Sequence, residues 1–376
     1  MDISVILTYR CNSHCSMCNI WKYPSLPQEE ISLETLSKIP SGLGYLNLTG
    51  GEPTLRSDLL DIVDLLYPKA MQLEISSNGL QPEKIEPVIK KYPNVKIRFS
   101  LEGPEDINNK IRGELNGFQT KINGLLKLKE LGGTDLGLAT VIQDENSTHI
   151  VDLYQLCKTH CFELSASTLH NGFQFHKNDN VPYNRQKVAK DIQELVLAYL
   201  KSDKIKDWFR AYMSLGLISK TLGHNRILKC RAATNFFFID PWSDVFACNV
   251  RPDLKFGNLT QQSWNDLTTG QNSFQIRGKV NQCLDNCWMV GSAKTAMRNP
   301  KFLKIPRIGP LLWVLENKMR VTLGGKMRIN GIIDFTEIYN DSLVPERNSY
   351  FDRKFTRRVQ TMDEVHYNQF GEFKNK

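Results

Sequence analysis

At 376 residues, with 41% hydrophobic and 23% charged residues, the chain reads as a globular protein with a sizeable core, in one large domain or two ordinary ones. No segment approaches the ~20 apolar residues of a membrane span, and the opening DISVILTY is too short for a signal sequence, so a cytoplasmic setting is expected. The net charge is +8, but eight Lys or Arg stand against one acid between Arg298 and Arg328, which leaves the rest nearly neutral and indicates no general nucleic-acid binding.

Short β-branched or apolar runs lie at 3–8, 45–48, 72–77, 95–101, 136–142 and 162–167. Helix-like stretches separate them at Leu33–Ile39, Asp58–Leu66, Glu83–Lys91, Gln119–Leu131 and Thr148–Lys158, and Arg185–Leu200 follows the last. This alternation predicts parallel βαβ units. Six units are too few for a closed eight-fold barrel and fit an open, partial (β/α)6 one. In such barrels chemistry gathers at the C-terminal ends of the strands. Four motifs fall there: a cysteine loop after strand one, TGGEP (49–53), SNG (77–79) and SLEGP (100–104).

The pattern changes after residue 205. NFFFIDPWSDVFAC (235–248) predicts a hairpin around a Pro-containing turn, set between Cys230 and Cys248, and a Cys283-x3-Cys287 pair follows. The expected organisation is a barrel over 1–205, a linker helix over 206–228, a small domain over 229–295 and a basic extension over 296–376.

Nine cysteines in a reducing compartment suggest metal sites or catalysis more than disulfides. Cys11, Cys15 and Cys18 give three thiolates in one loop. A closed zinc site wants four ligands, and His14 within the loop is a candidate fourth. Three thiolates with one position open fit a [4Fe–4S] cluster better.

Cys11-x3-Cys15-x2-Cys18 after strand one, followed by Gly50-Gly51-Glu52-Pro53 after strand two, resembles the radical S-adenosylmethionine (radical SAM) superfamily over roughly the first 200 residues. The resemblance implies a [4Fe–4S] cluster that binds S-adenosylmethionine through its open iron. The reduced cluster cleaves the cofactor to a 5′-deoxyadenosyl radical, which takes hydrogen from substrate. It also implies an external electron donor such as flavodoxin or ferredoxin. Gly50, Gly51, Glu52 and Pro53 match the segment that holds the methionine amino group, the glycines allowing close backbone approach. Ser77 and Asn78 match polar residues near the ribose or carboxylate. Ser100 and Glu102 occupy a position where the family often has Asp in place of Glu102. Arg112 matches an arginine near the cofactor, and Met17 stands where an aromatic often meets adenine.

Cys230, Cys248, Cys283 and Cys287, with the hairpin between the first two, resemble the shortened SPASM ("twitch") domain of the same superfamily. FGNLTQQSWNDL (256–267) is similar to its connecting segment, while Ser243 replaces a frequent turn glycine. One auxiliary [4Fe–4S] cluster is implied; zinc on the same four thiolates is the alternative. The spacing is most similar to that of an aminocyclitol dehydrogenase, in which the substrate radical loses a proton and passes an electron to the auxiliary cluster.

The expected substrate is accordingly a sugar, cyclitol or cell-surface glycan precursor, a view also resting on a chain that starts directly at strand one. The alternatives are a peptide or protein maturase and a non-catalytic, zinc-stabilised binding protein. Cys157 and Cys161 are expected to be structural, and His170 and His176 are candidates for acid–base work after strand six. Residues 308–321 have apolar positions at helical spacing within the basic cluster. They are expected to pack across the barrel with a basic face in water, and they also suit weak contact with an anionic membrane surface.

Overall fold

The computed structural model describes residues 1–177, 179–303, 305, 309–329 and 332–336. Expectations for 340–376, and for Lys304, Pro306, Arg307 and Ile308 of the basic segment, lie outside the described residues.

Six parallel strands form in chain order: β1 (Asp2–Ile6), β2 (Tyr45–Thr49), β3 (Leu73–Ser77), β4 (Lys96–Ser100), β5 (Leu136–Ile142) and β6 (Glu163–Thr168). The crossovers carry α1 (Leu33–Ser37), α2 (Leu59–Leu66), α3 (Glu86–Lys91), α4 (Glu105–Arg112), α5 (Gly117–Glu130) and α6 (Ile150–Thr159). Helix α2 shows the logic: Leu59, Ile62, Val63 and Leu66 are buried at i, i+3, i+4 and i+7, one face against the sheet. Helix α4 was not expected, because EDINNKIR lacks a continuous apolar stripe. It forms with Glu105 and Asp106 in its first turn and ends at Gly113, whose φ of 62° is left-handed.

The two faces of the strands differ in character. Val5, Leu48, Ile75, Phe99, Leu138 and Leu164 join the core beneath the helices. Ser4, Asn47, Ser76, Ser100, Ser165 and Ser167 point into the barrel and line a lumen of about 310 Å³. Barrels that fill their interior do so with bulky branched side chains. Small polar residues at these positions leave room for a ligand.

After α7 (Arg185–Lys201) and α8 (Ile205–Thr221), which pack on each other, the chain forms β7 (Phe236–Ile239), β8 (Asp244–Phe246) and β9 (Lys255–Asn258). The hairpin is present, and β7 pairs parallel with β1, so one nine-stranded sheet runs β6-β5-β4-β3-β2-β1-β7-β8-β9. Ser243 in the hairpin turn has φ 69°, the left-handed region that favours glycine. Then come α9 (Trp264–Thr269), capped by Ser263, α10 (Gln271–Asn281), α11 (Val290–Met297), α12 (Pro300–Leu303) and α13 (Pro310–Thr322).

Helix α13 buries Trp313, Val314 and Asn317 and packs on α7 and α8. Its outer face is more apolar than expected. Leu312, Leu315, Met319 and Leu323 are exposed there, while Arg320 and Arg328 turn back to Glu316 at 3.0 and 3.3 Å. Among the described residues no helix is long and apolar enough to cross a membrane.

Candidate active site

The loop leaving β1 is fixed from outside by backbone hydrogen bonds. The His14 N–H donates to the Arg112 carbonyl at 3.0 Å, that of Ser16 to Ile111 at 2.8 Å, and that of Asn19 to Phe175 at 2.8 Å. Cys11, Cys15 and Cys18 are brought together on one cavity of about 170 Å³, with Met17, Gly50, Gly51, Ser77, Asn78, Ser100 and Arg112 also in its wall. The Ser13 and Ile20 amides donate to the sulfurs of Cys11 and Cys18, both at 3.5 Å. Burial raises the proton affinity of all three thiols, that of Cys18 to about 12. Metal coordination removes such protons outright. His14 meets the Trp21 ring edge-on at 4.7 Å. Among the described residues no three His, Cys, Asp or Glu side chains are drawn together tightly enough to hold a single metal ion.

The two glycines after β2 hold that loop against the cysteine loop. The Gly51 N–H donates to the Thr8 carbonyl at 2.7 Å and that of Glu52 to Arg10 at 2.8 Å. A Cβ on Gly50 would lie 2.6 Å from the Thr8 oxygen, and one on Gly51 2.2 Å from the Arg10 oxygen, so only glycine allows the approach. Pro53 opens the short 3-10 turn that follows. Glu52 is fully buried and ties strands two and three together. Its Oε1 accepts from Thr54 Oγ1 at 2.8 Å and Ser77 Oγ at 2.9 Å, its Oε2 from the Asn78 amide at 2.6 Å.

Arg112 is buried, and the structure gives it partners beyond a surface salt bridge. It donates to Glu102 Oε1 at 2.9 Å and Glu114 Oε1 at 3.1 Å, and Glu114 also takes Lys121 and, at 2.6 Å, Ser13 Oγ. Burial depresses Lys121 to about 8, while the thiol of Cys15 is the foremost group raising Arg112. Glu102 Oε2 accepts from Thr140 Oγ1 at 2.9 Å and the Val141 amide at 2.8 Å. Its oxygens thus serve the barrel wall and Arg112. Neither Ser13 nor Glu114 was legible in the sequence, since an isolated Ser and Glu carry no spacing signal. Asn180 was missed for the same reason; its Nδ2 donates to the Met17 carbonyl at 2.8 Å at the cavity edge.

The cysteine cavity adjoins the lumen, with Gly50, Ser100, Val141, His170 and Phe175 in both walls. His170 Nδ1 faces the Thr168 carbonyl at 3.0 Å, which can only accept, so Nδ1 carries the hydrogen and Nε2 the lone pair. Burial holds this imidazole at about 4, hence neutral at pH 7. Among the described residues, His170 Nε2, Thr168 Oγ1 and Gln174 Oε1 are buried without a hydrogen-bond partner, and all three residues line the lumen. His176 instead stacks on Tyr23 at 4.0 Å, with burial lowering it to about 3. Cys157 is buried, but Cys161 is exposed at φ 57°, outside the expected core.

The second thiol set also comes together. Burial raises Cys248, and the next causes are Cys287 and Cys230; burial raises Cys283 to about 11, with Cys287 and Cys230 among its neighbours. Arg226, unmarked by the sequence, donates to Cys287 Sγ at 3.3 Å and to the Cys287 carbonyl at 2.7 Å. Asn249 and Trp288, one residue beyond Cys248 and Cys287, line the lumen.

A partial parallel barrel with three thiols in a cavity beside its lumen is that of a radical SAM enzyme, with a [4Fe–4S] cluster and S-adenosylmethionine as cofactors. The Radical SAM superfamily matches residues 5–157, and that segment belongs to it. It is 26% identical over 278 residues to the mycofactocin maturase MftC of Mycolicibacterium smegmatis, covering 68% of this chain and 69% of that protein. It is 28% identical over 158 residues to the sporulation killing factor maturation protein SkfB of Bacillus subtilis, covering 40% of this chain and 38% of SkfB. Streptococcus suis SuiB shares the fold, with a TM-score of 0.56 at 15% identity over 74% of this chain and 67% of SuiB.

Proposed function

We propose that the chain is a radical SAM oxidoreductase with two iron–sulfur sites on one lumen. Cys11, Cys15 and Cys18 hold the cluster that binds S-adenosylmethionine. Gly50, Gly51, Glu52, Pro53, Ser77, Asn78, Ser100, Glu102 and Arg112 build the pocket, and Met17 supplies its apolar wall. Cys230, Cys248, Cys283 and Cys287 hold the auxiliary cluster within a twitch-type segment over 229–295. When bound, the first cluster and cofactor supply a 5′-deoxyadenosyl radical for hydrogen abstraction. A flavodoxin or ferredoxin in a cytoplasmic setting would supply the reducing electron. The observation that carries this reading is that one lumen adjoins the cavity of the first thiols and reaches the residues next to the second set, Asn249 and Trp288.

For the substrate, the maturase relatives favour a peptide or protein side chain over the sugar or cyclitol expected from the auxiliary spacing. A small molecule is the second reading, since relatives include a probable GTP 3′,8-cyclase and an AdoMet-dependent heme synthase. A peptide encoded beside the gene should raise 5′-deoxyadenosine formation above the substrate-free level. Stimulation by sugar nucleotides alone would reverse the assignment.

The unpartnered His170 Nε2 accepts a substrate O–H or N–H in this scheme, with Thr168 and Gln174 beside it. His170→Leu leaves that donor unsatisfied and should cut product formed per 5′-deoxyadenosine by about tenfold to a hundredfold. His170→Gln, which keeps an acceptor, should recover part of it, and iron content should not change in either variant.

The apolar outer face of α13, beside Lys326, Arg320 and Arg328, suits weak contact with an anionic bilayer. Co-sedimentation with phosphatidylserine vesicles that falls for Leu315→Asp would support this. Equal recovery of the two proteins on neutral and anionic vesicles would refute it.

A further inference from the structure

A second cavity, of about 490 Å³, lies at the N-terminal ends of β3, β4 and β6, against α8, α11 and α12. It shares Glu74, Ser165, Ala166 and Val290 with the lumen, so the two spaces adjoin at these residues. Its walls hold six cations, Lys96, Arg98, Lys206, Arg210, Lys294 and Arg298, against one carboxylate, Glu74.

Five of the six cations are paired. Arg98 bonds to Asp135, Lys96 lies 3.5 Å from Asp135, Lys206 3.1 Å from Glu163, Arg210 2.7 Å from Asp207 and Arg298 3.4 Å from Asp2. Lys294 is different. Its ammonium rests over the Tyr45 ring at 4.7 Å; among the described residues it makes no hydrogen bond and no ion pair within 4.0 Å, and Glu74 is the foremost opposite charge acting on it. Burial and the like charges of Lys96, Arg98 and Arg298 lower its proton affinity to about 8, with Glu74 opposing, so it is still charged at pH 7. A partly buried ammonium without an acceptor is costly, and a charge-assisted hydrogen bond to an anion would relieve it.

We propose that this cavity binds an anionic group of the substrate, a phosphate or a carboxylate, through Lys294, and so orients a molecule whose reacting carbon lies in the adjoining lumen. This rests on the reading that the lumen takes the substrate. The test involves no turnover, so its failure would leave the radical chemistry standing.

The experiment is calorimetric titration of the reconstituted full-length protein with inorganic phosphate and, separately, acetate, at an ionic strength fixed with chloride. Saturable binding of at least one anion is expected. Preference for phosphate points to a phosphorylated small molecule, and preference for acetate to a peptide carboxylate. Lys294→Met should weaken binding about tenfold or more, the loss of one charge-assisted hydrogen bond. Lys294→Arg should preserve it, and Lys90→Met, on exposed α3, should not change it. No saturable binding of either anion, or equal binding by Lys294→Met, overturns the proposal. If Lys294→Met does not fold, arsenate-soaked crystals of the unaltered protein decide. Arsenate within hydrogen-bond reach of Lys294 Nζ supports the site, and arsenate elsewhere or absent overturns it.

Discussion

Replacing Cys11, Cys15 and Cys18 together by Ala should leave about four of the about eight irons expected after anaerobic reconstitution, one cluster in place of two. It should also abolish 5′-deoxyadenosine formation with dithionite and S-adenosylmethionine. The loop itself should survive, because its hydrogen bonds to Arg112, Ile111 and Phe175 are all made by backbone. Loss of activity would then report the missing thiolates rather than a lost fold. The Ser13 and Ile20 amides now aimed at sulfur would face the cavity, a modest cost beside the removal of three ligands. Stoichiometric zinc at the first loop of the unaltered protein would overturn the cluster assignment. An unaltered protein with its iron intact but inert toward S-adenosylmethionine would favour a binding role.

Cys283→Ala should separate the two iron sites by function. Cys283 is the preferred position because Arg226 contacts Cys287, so that ion pair is preserved. Deuterium from labelled substrate should still appear in 5′-deoxyadenosine, since the barrel cavity and its three thiols are untouched. Oxidised product should fall by an order of magnitude or more. A site held by four thiolates has no open iron and is suited to exchange electrons, so without it the substrate radical has no acceptor. Parallel loss of deuterium transfer and product in a well-folded variant would show instead that the segment only shapes the lumen. The proximity of Asn249 and Trp288 to that set makes this the serious rival.

The barrel was legible because its strands and helices alternate in period and length; the first thiol set was legible because its members share one tight loop, and the second only through the resemblance of its spacing and hairpin to a twitch domain. Helix α4 was not, because its buried face includes Asn108 and Arg112, polar residues that no hydrophobic period reveals. The Arg112–Glu114–Lys121–Ser13 network was hidden for a related reason: its members come from separate segments and meet only after folding. Burial changed the meaning of both histidine candidates. His170 lies on the lumen as an acceptor held neutral, whereas His176 is stacked on Tyr23. The pairing of β7 with β1 was likewise invisible, since FFFI carries strand propensity but no mark of its neighbour.

That pairing has a mechanical consequence. Cys11 lies five residues beyond the end of β1, and Cys230 lies six residues before the start of β7. The two thiol sets therefore hang from opposite ends of one ladder, not from bodies joined by a hinge. Hydrogen bonds between Asp2–Val5 and Phe236–Ile239 set their separation, so an electron crossing between them would meet a gap that thermal motion hardly widens. Cutting the chain before β7 would cost more than a cofactor: it would bare the edge of β1, the strand that leads into the first cysteines, and invite a second chain to dock there.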